Sequence, residues 1–423
     1  MARSVAEHLV EVRALLAPVV ARIEQDPPEF VRISDPDLLD RVTANALSSS
    51  FPLPPFDNSQ MDGYAVRLED IIGAHIEQPI SLPLGVATAA GDPPLRHQPG
   101  TASPVMTGAA IPEGADTVIP VEHCQPASFP PLVRANDGNP SGEIHIVKTP
   151  PIGQFVRRQG EDLPSNSELV GAGVRLTPAL IGSLASAGIV KIPVRRRLRV
   201  LLCATGDELS RAGETLSRGR IHDANTPMLA AALRATGAEV RTARLGDHKE
   251  DLYALLDHEA AGVDLLVTSG GISAGAFEVV REAFNPLGAQ FVGVAMQPGG
   301  PQGLGTVAPP SGGPTVVALC FPGNPVSSFL SAELFLLPTL RRLAGRAPDR
   351  TRVLRTLAED VHSPEHKLQL RRGRVLADGT VTVSPPGSHL LSDLAGADLI
   401  AEIPDGVAFA PAGSQVNTWS IHE

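Results

Sequence analysis

Between residues 198 and 343 apolar runs of strand length alternate with helical patterns, and few architectures accept that rhythm. RVLLCA (199–204) reads as a buried strand, and TPMLAAALRATG (226–237) as a helix with Thr226 as N-cap, Pro227 at the first helical position and Gly237 as stop. AEVRTARL and DLYALLDHEA repeat the pair. DLLVTSGG (264–271) is a second apolar strand that ends on glycines, ahead of a helix over 276–285. TVVALCFPGNP (315–325) runs from a strand into a helix over 326–343. Apolar strands separated by helices build a mostly parallel sheet with helices on both faces. In such a sheet ligands bind beyond the carboxyl ends of the strands.

Three loops stand at those ends: TGDEL (205–209), TSGGISAG (268–275) and PGNPVS (322–327). In the second, Gly270 and Gly271 allow a tight turn close to an anion, and Ser269 and Ser273 offer hydroxyls. A glycine pair is a weak signal taken alone. In the third, taken alone, the structural reading outweighs the functional one: Asn324 as an N-cap, Pro325 as the first helical residue and Gly323 as a turn former. Asp207 and Glu208 are either solvated loop charge or a site for a hard cation, since Mg²⁺ takes carboxylate and phosphate oxygens.

The flanks differ. Residues 4–17 have helical spacing that Pro18 is expected to end, and a second helix is expected over 36–47 with Ser34 or Asp35 as cap. From 50 to 150 short apolar runs alternate with Pro and Gly, which predicts a small β domain inserted between helical segments. TPALIGSLASAG (177–188) reads as a helix from Thr177 and Pro178 to Gly188, and short strands return after 348. Within the insertion, Asp62-Gly63 reads as an ordinary hairpin turn and RRQGED (157–162) as a surface ion-pair cluster.

Composition narrows the function. Aromatic residues make up 4%, too few for a nucleic-acid reader built on base stacking, and a net charge of −11 does not favour polyanionic partners or acidic membranes. Cys124, Cys203 and Cys320 are scattered, as expected in a reducing cytoplasm, and the twelve histidines lack zinc-site spacing. No apolar run approaches a membrane span, and the N-terminus lacks the core of a signal peptide.

Taken in order, FDNSQMDGYAV, MTGAAIPEGADTVIPVE, RRQGEDL, ATGDEL, TSGGISAG, PGNPVS and GSHLLSDLAGADLI resemble one family, the molybdopterin molybdenumtransferases, which include the bacterial MoeA proteins and the E-domain of gephyrin. The resemblance runs from about residue 5 to 420. It implies an α/β plus β fold in an elongated multidomain subunit that forms a homodimer. The parts are a helical N-terminal domain (1–48 and 152–195), an inserted β domain (49–151), a three-layer α/β domain of MogA type that binds molybdopterin (196–348) and a C-terminal β-barrel (349–423). It implies insertion of molybdate into adenylylated molybdopterin with release of AMP, with Mg²⁺. Transient contact with the adenylyltransferase or with recipient molybdoenzymes is expected, and no nucleic-acid or membrane partner. Carried over by motif, Asp62, Thr107, Asp162, Glu208 and Glu278 are the catalytic candidates, with Asp62 and Thr107 reaching the cleft from the partner subunit. Ser269, Gly270, Gly271, Ser273, Arg281, Pro322, Gly323, Asn324, Pro325, Ser327 and Arg372 are expected to bind the pterin and nucleotide, and Asp207 with Glu208 the metal. A dianionic oxyanion and a phosphoanhydride need N–H groups, hydroxyls and cations.

The departures from the family cluster. Where its members usually read Lys-Pro-Gly-Lys-Pro, this chain has Gln297, Pro298, Gly299, Gly300 and Pro301, and Gly293 stands where a further lysine is common. Glu278 replaces an aspartate and Arg281 a lysine. Each cation removed from an anion site costs about 1.5–3 kcal/mol where nothing compensates. The alternative reading is therefore a divergent, non-catalytic paralogue that acts as a molybdopterin carrier or chaperone.

Overall fold

A computed structural model describes residues 2–273, 275 and 278–422. The chain divides into two compact units. The larger holds residues 1–45, 172–177 and 191–423; the smaller holds 46–171 and 178–190.

The larger unit is built on a six-stranded sheet in the order Glu239–Leu245, Arg199–Thr205, Leu265–Ser269, Val316–Phe321, Pro301–Val307, Gln290–Gly293. The first four strands are parallel, and the last two are antiparallel to their neighbours. Alternate residues of each strand feed two cores. Val200, Leu202, Val267, Leu319 and Phe321 pack on one face with Leu229, Leu233, Leu330 and Phe335. Leu201, Cys203, Leu266, Ala318 and Cys320 pack on the other with Leu252, Leu256, Val280 and Phe284. This is the three-layer arrangement expected, with a helix at Val279–Phe284 for the one read over 276–285; positions 276 and 277 lie outside the described residues. The helix expected over 326–343 is one continuous stretch with a π-turn at Ala332–Leu336 between Pro325–Ser331 and Leu337–Leu343.

Two N-terminal expectations fail. The first helix runs Val5–Gln25, straight through Pro18, from a capping box in which Ser4 and Glu7 satisfy each other's backbone N–H groups. An interior proline costs about 3 kcal/mol, but Val19, Val20 and Ile23 beyond it are buried, at about 1.5–3 kcal/mol each. The helix read over 36–47 is a single 3₁₀ turn, Pro36–Leu38, with the Asp35 carboxylate accepting from Asp37 N at 2.9 Å. Thr43 N and Ala44 N donate instead to the carbonyls of Val174 and Pro193. The cap of Asn225–Ala235 also moves: Asp223 Oδ1 accepts from Thr226 N at 3.0 Å, while the Thr226 hydroxyl is buried without a partner.

A second sheet of this unit is ordered Met296–Gln297, Leu368–Val375, Leu399–Ile403, Gln415–Ser420, Val353–Thr356. Its first strand pairs in parallel, Met296 opposite Leu368 and Gln297 opposite Gln369, so the C-terminal β module lies beside the segment that departs from the family pattern. In the smaller unit Gly63–Val66 is the central strand between Ser103–Val105 and Thr117–Pro120, and Ile80–Pro83, Glu143–Ile146 and Cys124–Gln125 form another sheet. Tyr64, Val66, Ile71, Leu82, Ile119, Ile144 and Ile146 are its core. Its helix is Pro178–Ser186, with Gly188 just past the end at φ +73°. Among the described residues no helix is long and apolar enough to cross a membrane.

The first helix is fastened by a buried carboxylate. Asp264 is fully buried; its oxygens accept from Arg22 and Arg196, each at 2.7 Å, and from Arg199 N at 2.9 Å. Burial alone raises its pKa, but these hydrogen bonds outweigh burial and hold it at about 2, against 3.8 for a free aspartate. Burial pushes His8, on the same helix and against Phe335, down to about 4. Both shifts favour the folded state at neutral pH. The His8 contribution is complete above about pH 6.5 and fades towards pH 4; that of Asp264 is complete above about pH 4 and fades towards pH 2. The Asp264 shift corresponds to about 2 kcal/mol. Thermal melts across this range are expected to fall in both windows, and Asp264→Asn to flatten the lower one. An unchanged slope there would refute the assignment.

Candidate active site

The carboxyl ends of Arg199–Thr205, Leu265–Ser269 and Val316–Phe321 open into a cleft of about 830 Å³ in the larger unit. Its lining includes Glu208, Ser269, Gly270, Gly271, Ser273, Glu278, Pro322, Gly323, Asn324, Pro325 and Ser327. The structure therefore brings together most of the residues that the motifs in this half of the chain singled out.

Glycine is required at the turn. Gly270 and Gly271 have φ of +99° and +65°, and a Cβ on Gly270 would stand 2.8 Å from the carbonyl oxygen of Thr205. Gly270 N donates to Phe321 O and Arg281 N to Gly271 O, which ties the loop to the neighbouring strand end and to the helix Val279–Phe284. Asn225, which the sequence reading passed over, ties the loops together. Its Nδ2 donates to Ser269 Oγ at 2.7 Å and to Gly323 O at 2.6 Å. Its Oδ1 and the hydroxyl of Thr205, both lining residues, are buried without partners. Buried polar atoms without partners are rare in folded proteins, and here they mark places for a ligand's polar atoms.

Asn324 holds the N-cap position of Pro325–Ser331 but makes no capping bond. Val326 N donates to Ser388 O at 3.1 Å, which leaves the exposed Asn324 amide to the cleft. The Glu278 carboxylate accepts from Ser273 N at 2.6 Å, from the Ser273 hydroxyl and from Gly275 N at 3.3 Å, so it occupies the loop's own anion-binding N–H groups.

Three expected ligand groups turn elsewhere. Arg281 donates to Ile272 O at 3.0 Å and stacks over Phe291, bracing the loop from outside the lining. Arg372 is fully buried; its guanidinium is held by the carbonyls of Pro385 and Gly387, so it positions the loop that contributes Pro386, Ser388 and His389 to the cleft. Asp207 accepts from Asp247 N and donates from its own N to Asp247 Oδ2, outside the lining. Of the two carboxylates assigned to a cation, only Glu208 faces the cleft. Its carboxylate lies over Gly206, where a Cβ would stand 2.7 Å from Oε1. Among the described residues no cluster of three His, Cys, Asp or Glu side chains is placed to hold a metal ion. The three cysteines are free and buried, and burial pushes each thiol up to about 12, so none is poised as a nucleophile.

The departing segment, Gln297 to Pro301, also lines the cleft. Gln297 Oε1 accepts from Gln369 Nε2 at 2.6 Å. Gly299 has φ +101°, but Gly300 lies outside the left-handed region and an added Cβ would meet nothing nearer than Val294 O at 3.4 Å. Asp223, Asp247 and Lys367 are lining residues that no motif flagged.

In the smaller unit, Asp62 Oδ1 accepts from Thr107 N at 2.7 Å and from Thr107 Oγ1 at 2.8 Å, so MDGY and MTGA form one polar pair. No hairpin turn lies at Asp62-Gly63; Gly63 opens a central strand. Arg158 pairs with Asp57 at 2.7 Å, outside RRQGED, rather than with the acids of its own motif, where Glu161 accepts from Arg158 N at 2.8 Å instead; Asp162 is exposed with its N–H on Leu53 O.

The MoeA N-terminal region (domain I and II) profile matches residues 3–188, a probable molybdopterin binding domain matches 202–342, and the MoeA C-terminal region (domain IV) matches 355–421. The chain is 42% identical to molybdopterin molybdenumtransferase 2 of Mycobacterium tuberculosis over 87% of its length and 89% of the relative's. It is 36% identical to the molybdopterin molybdenumtransferase of Synechococcus elongatus over 98% and 100%. A crystal structure of the molybdopterin biosynthesis MoeA protein from Pyrococcus horikoshii superposes with a TM-score of 0.80 at 28% identity, covering 100% of both chains.

Proposed function

Because the chain belongs to the molybdopterin molybdenumtransferase family and is a transferase of molybdenum cofactor biosynthesis, we propose that the cleft binds adenylylated molybdopterin and molybdate, splits the adenylate and leaves molybdenum on the dithiolene. The observation that carries this reading is the pair of buried, partnerless polar groups, the Thr205 hydroxyl and the Asn225 Oδ1 acceptor, beside the Gly270–Gly271 turn. Ser269, Gly270, Gly271, Ser273, Pro322, Gly323, Asn324, Pro325 and Ser327 seat the pterin and nucleotide. Glu208 would hold Mg²⁺ together with substrate phosphate oxygens; the ion neutralises phosphate charge at the bond that breaks. Glu278 releases the Ser273 and Gly275 N–H groups when an anion takes its place, which frees its carboxylate to handle a proton. The carrier reading is not favoured, since the relatives are named as transferases along nearly the whole chain.

The same proposal includes a homodimer in the cytoplasm, in which Asp62 and Thr107 of one copy serve the cleft of the other, with Asp162 nearby. Three buried free thiols support a reducing compartment. Purified protein supplied with adenylylated molybdopterin, Mg²⁺ and molybdate is expected to release AMP and retain molybdenum, and to scatter light as a dimer. AMP release without metal retention, or tight substrate binding without either, would refute the transferase chemistry; an active monomer would refute the shared site.

A further inference from the structure

The proposed substrates are anionic, yet the cleft lining carries four carboxylates, Glu208, Asp223, Asp247 and Glu278, and among its described residues one side chain that is always cationic at neutral pH, Lys367. Lys367 is exposed, and its ammonium has neither an ion pair nor a hydrogen bond among the described residues. Its backbone is well placed: it immediately precedes Leu368, which pairs with Met296 and donates to Ala295 O at 3.0 Å. Lys367 therefore stands at the entry to the strand that pairs with the start of the Gln297–Pro301 segment, and it lines the cleft. The neighbouring arginines do not compete for that role. Arg371 donates to Ser384 O and Gln369 Oε1, and Arg372 is enclosed by backbone carbonyls. Gln369 in turn occupies Gln297 Oε1, which leaves the N–H₂ end of that amide as a neutral donor for the cleft.

We infer that Lys367 anchors a tetrahedral oxyanion in this cleft, supplying from the C-terminal module the positive charge missing at residues 297 and 300. The inference rests on the proposed reading of the cleft. The oxyanion is either molybdate or a substrate phosphate, which share geometry and charge.

The test uses the full-length chain. Binding of molybdate alone and of AMP alone is measured by equilibrium dialysis for wild type, Lys367→Met, Lys367→Arg and Lys367→Met with Gly300→Lys. Lys367→Met is expected to weaken one probe by roughly 10- to 100-fold, with an unchanged melting temperature because the side chain is exposed. Loss of molybdate assigns Lys367 to the metal oxyanion, and loss of AMP to a phosphate. Lys367→Arg is expected to retain most of the affinity, and Gly300→Lys to restore part of what Lys367→Met removes, since a Cβ at 300 meets only ordinary contacts and needs no left-handed backbone. Both probes within 2-fold of wild type in Lys367→Met, or no binding of either probe by wild type, would overturn the inference. Oxyanion binding through Lys367 without AMP release in the complete reaction would instead overturn the transferase chemistry and leave the anchor standing.

Discussion

Glu208→Gln is expected to lower AMP release by on the order of 10²–10⁴-fold while the melting temperature stays within about a degree. The carboxylate lies just past the end of Arg199–Thr205, exposed in the cleft, and among the described residues it accepts no hydrogen bond that the amide would have to replace. Glutamine keeps the shape and removes the charge. Lost packing is therefore not available as an explanation for lost turnover; what disappears is the ability to hold a cation or accept a proton beside a phosphate. Raising Mg²⁺ should recover part of the rate if the role is cation binding and none if it is proton transfer. Turnover within tenfold of wild type would show that Glu208 has neither role, and a melting temperature several degrees lower would make it structural.

Gly63→Ala is expected to unfold the smaller unit's sheet. A Cβ there would overlap the carbonyl oxygen of Ile119 and stand 2.9 Å from its carbon and 3.2 Å from Pro120 Cα. These are backbone atoms of the adjacent strand, in which Pro120 pairs with Gly63 and Ile119 with Tyr64, and Val105 pairs with Gly63 on the other side. Neither strand can retreat without breaking the ladder. Severe overpacking of this kind costs about 3 kcal/mol or more, and a fall in melting temperature of about 10 °C or more follows for the transition that reports this unit. Limited proteolysis should then cut within 46–171 before 191–423. The adjacent Asp62–Thr107 pair would be lost with the strand, so turnover should fall too. A variant that melts within two degrees of wild type would show that the strands separate more easily than their hydrogen bonding implies.

The two variants also separate what could be read along the chain from what could not. Asp62-Gly63 carries a hairpin signature, and nothing local reveals that a carbonyl 56 positions later occupies the space of a Cβ. Asn225 carries no local signal of its role: its amide joins the TSGG and PGNP loops, which lie far from it in sequence. Arg281 and Arg372 carry the right charge in motifs that resemble a binding site. Their guanidinium groups are nonetheless drawn to Ile272 O, Pro385 O and Gly387 O, because a buried or half-buried donor must first satisfy the nearest carbonyls. The same competition ended the 36–47 helix, whose N–H groups at 43 and 44 bond to residues 174 and 193.

The sequence by itself determined the α/β sheet of the larger unit, the loops at its strand ends and the family. Strands buried on both faces must be continuously apolar, tight turns near a ligand must be glycine, and both constraints act within a few residues. Tertiary structure alone decided that the first helix continues past Pro18, because the burial that offsets an interior proline comes from distant parts of the fold. It also decided which cation faces the cleft. Lys367 belongs to no motif that was read, and parallel pairing of Leu368–Val375 with Met296–Gln297 brings it there.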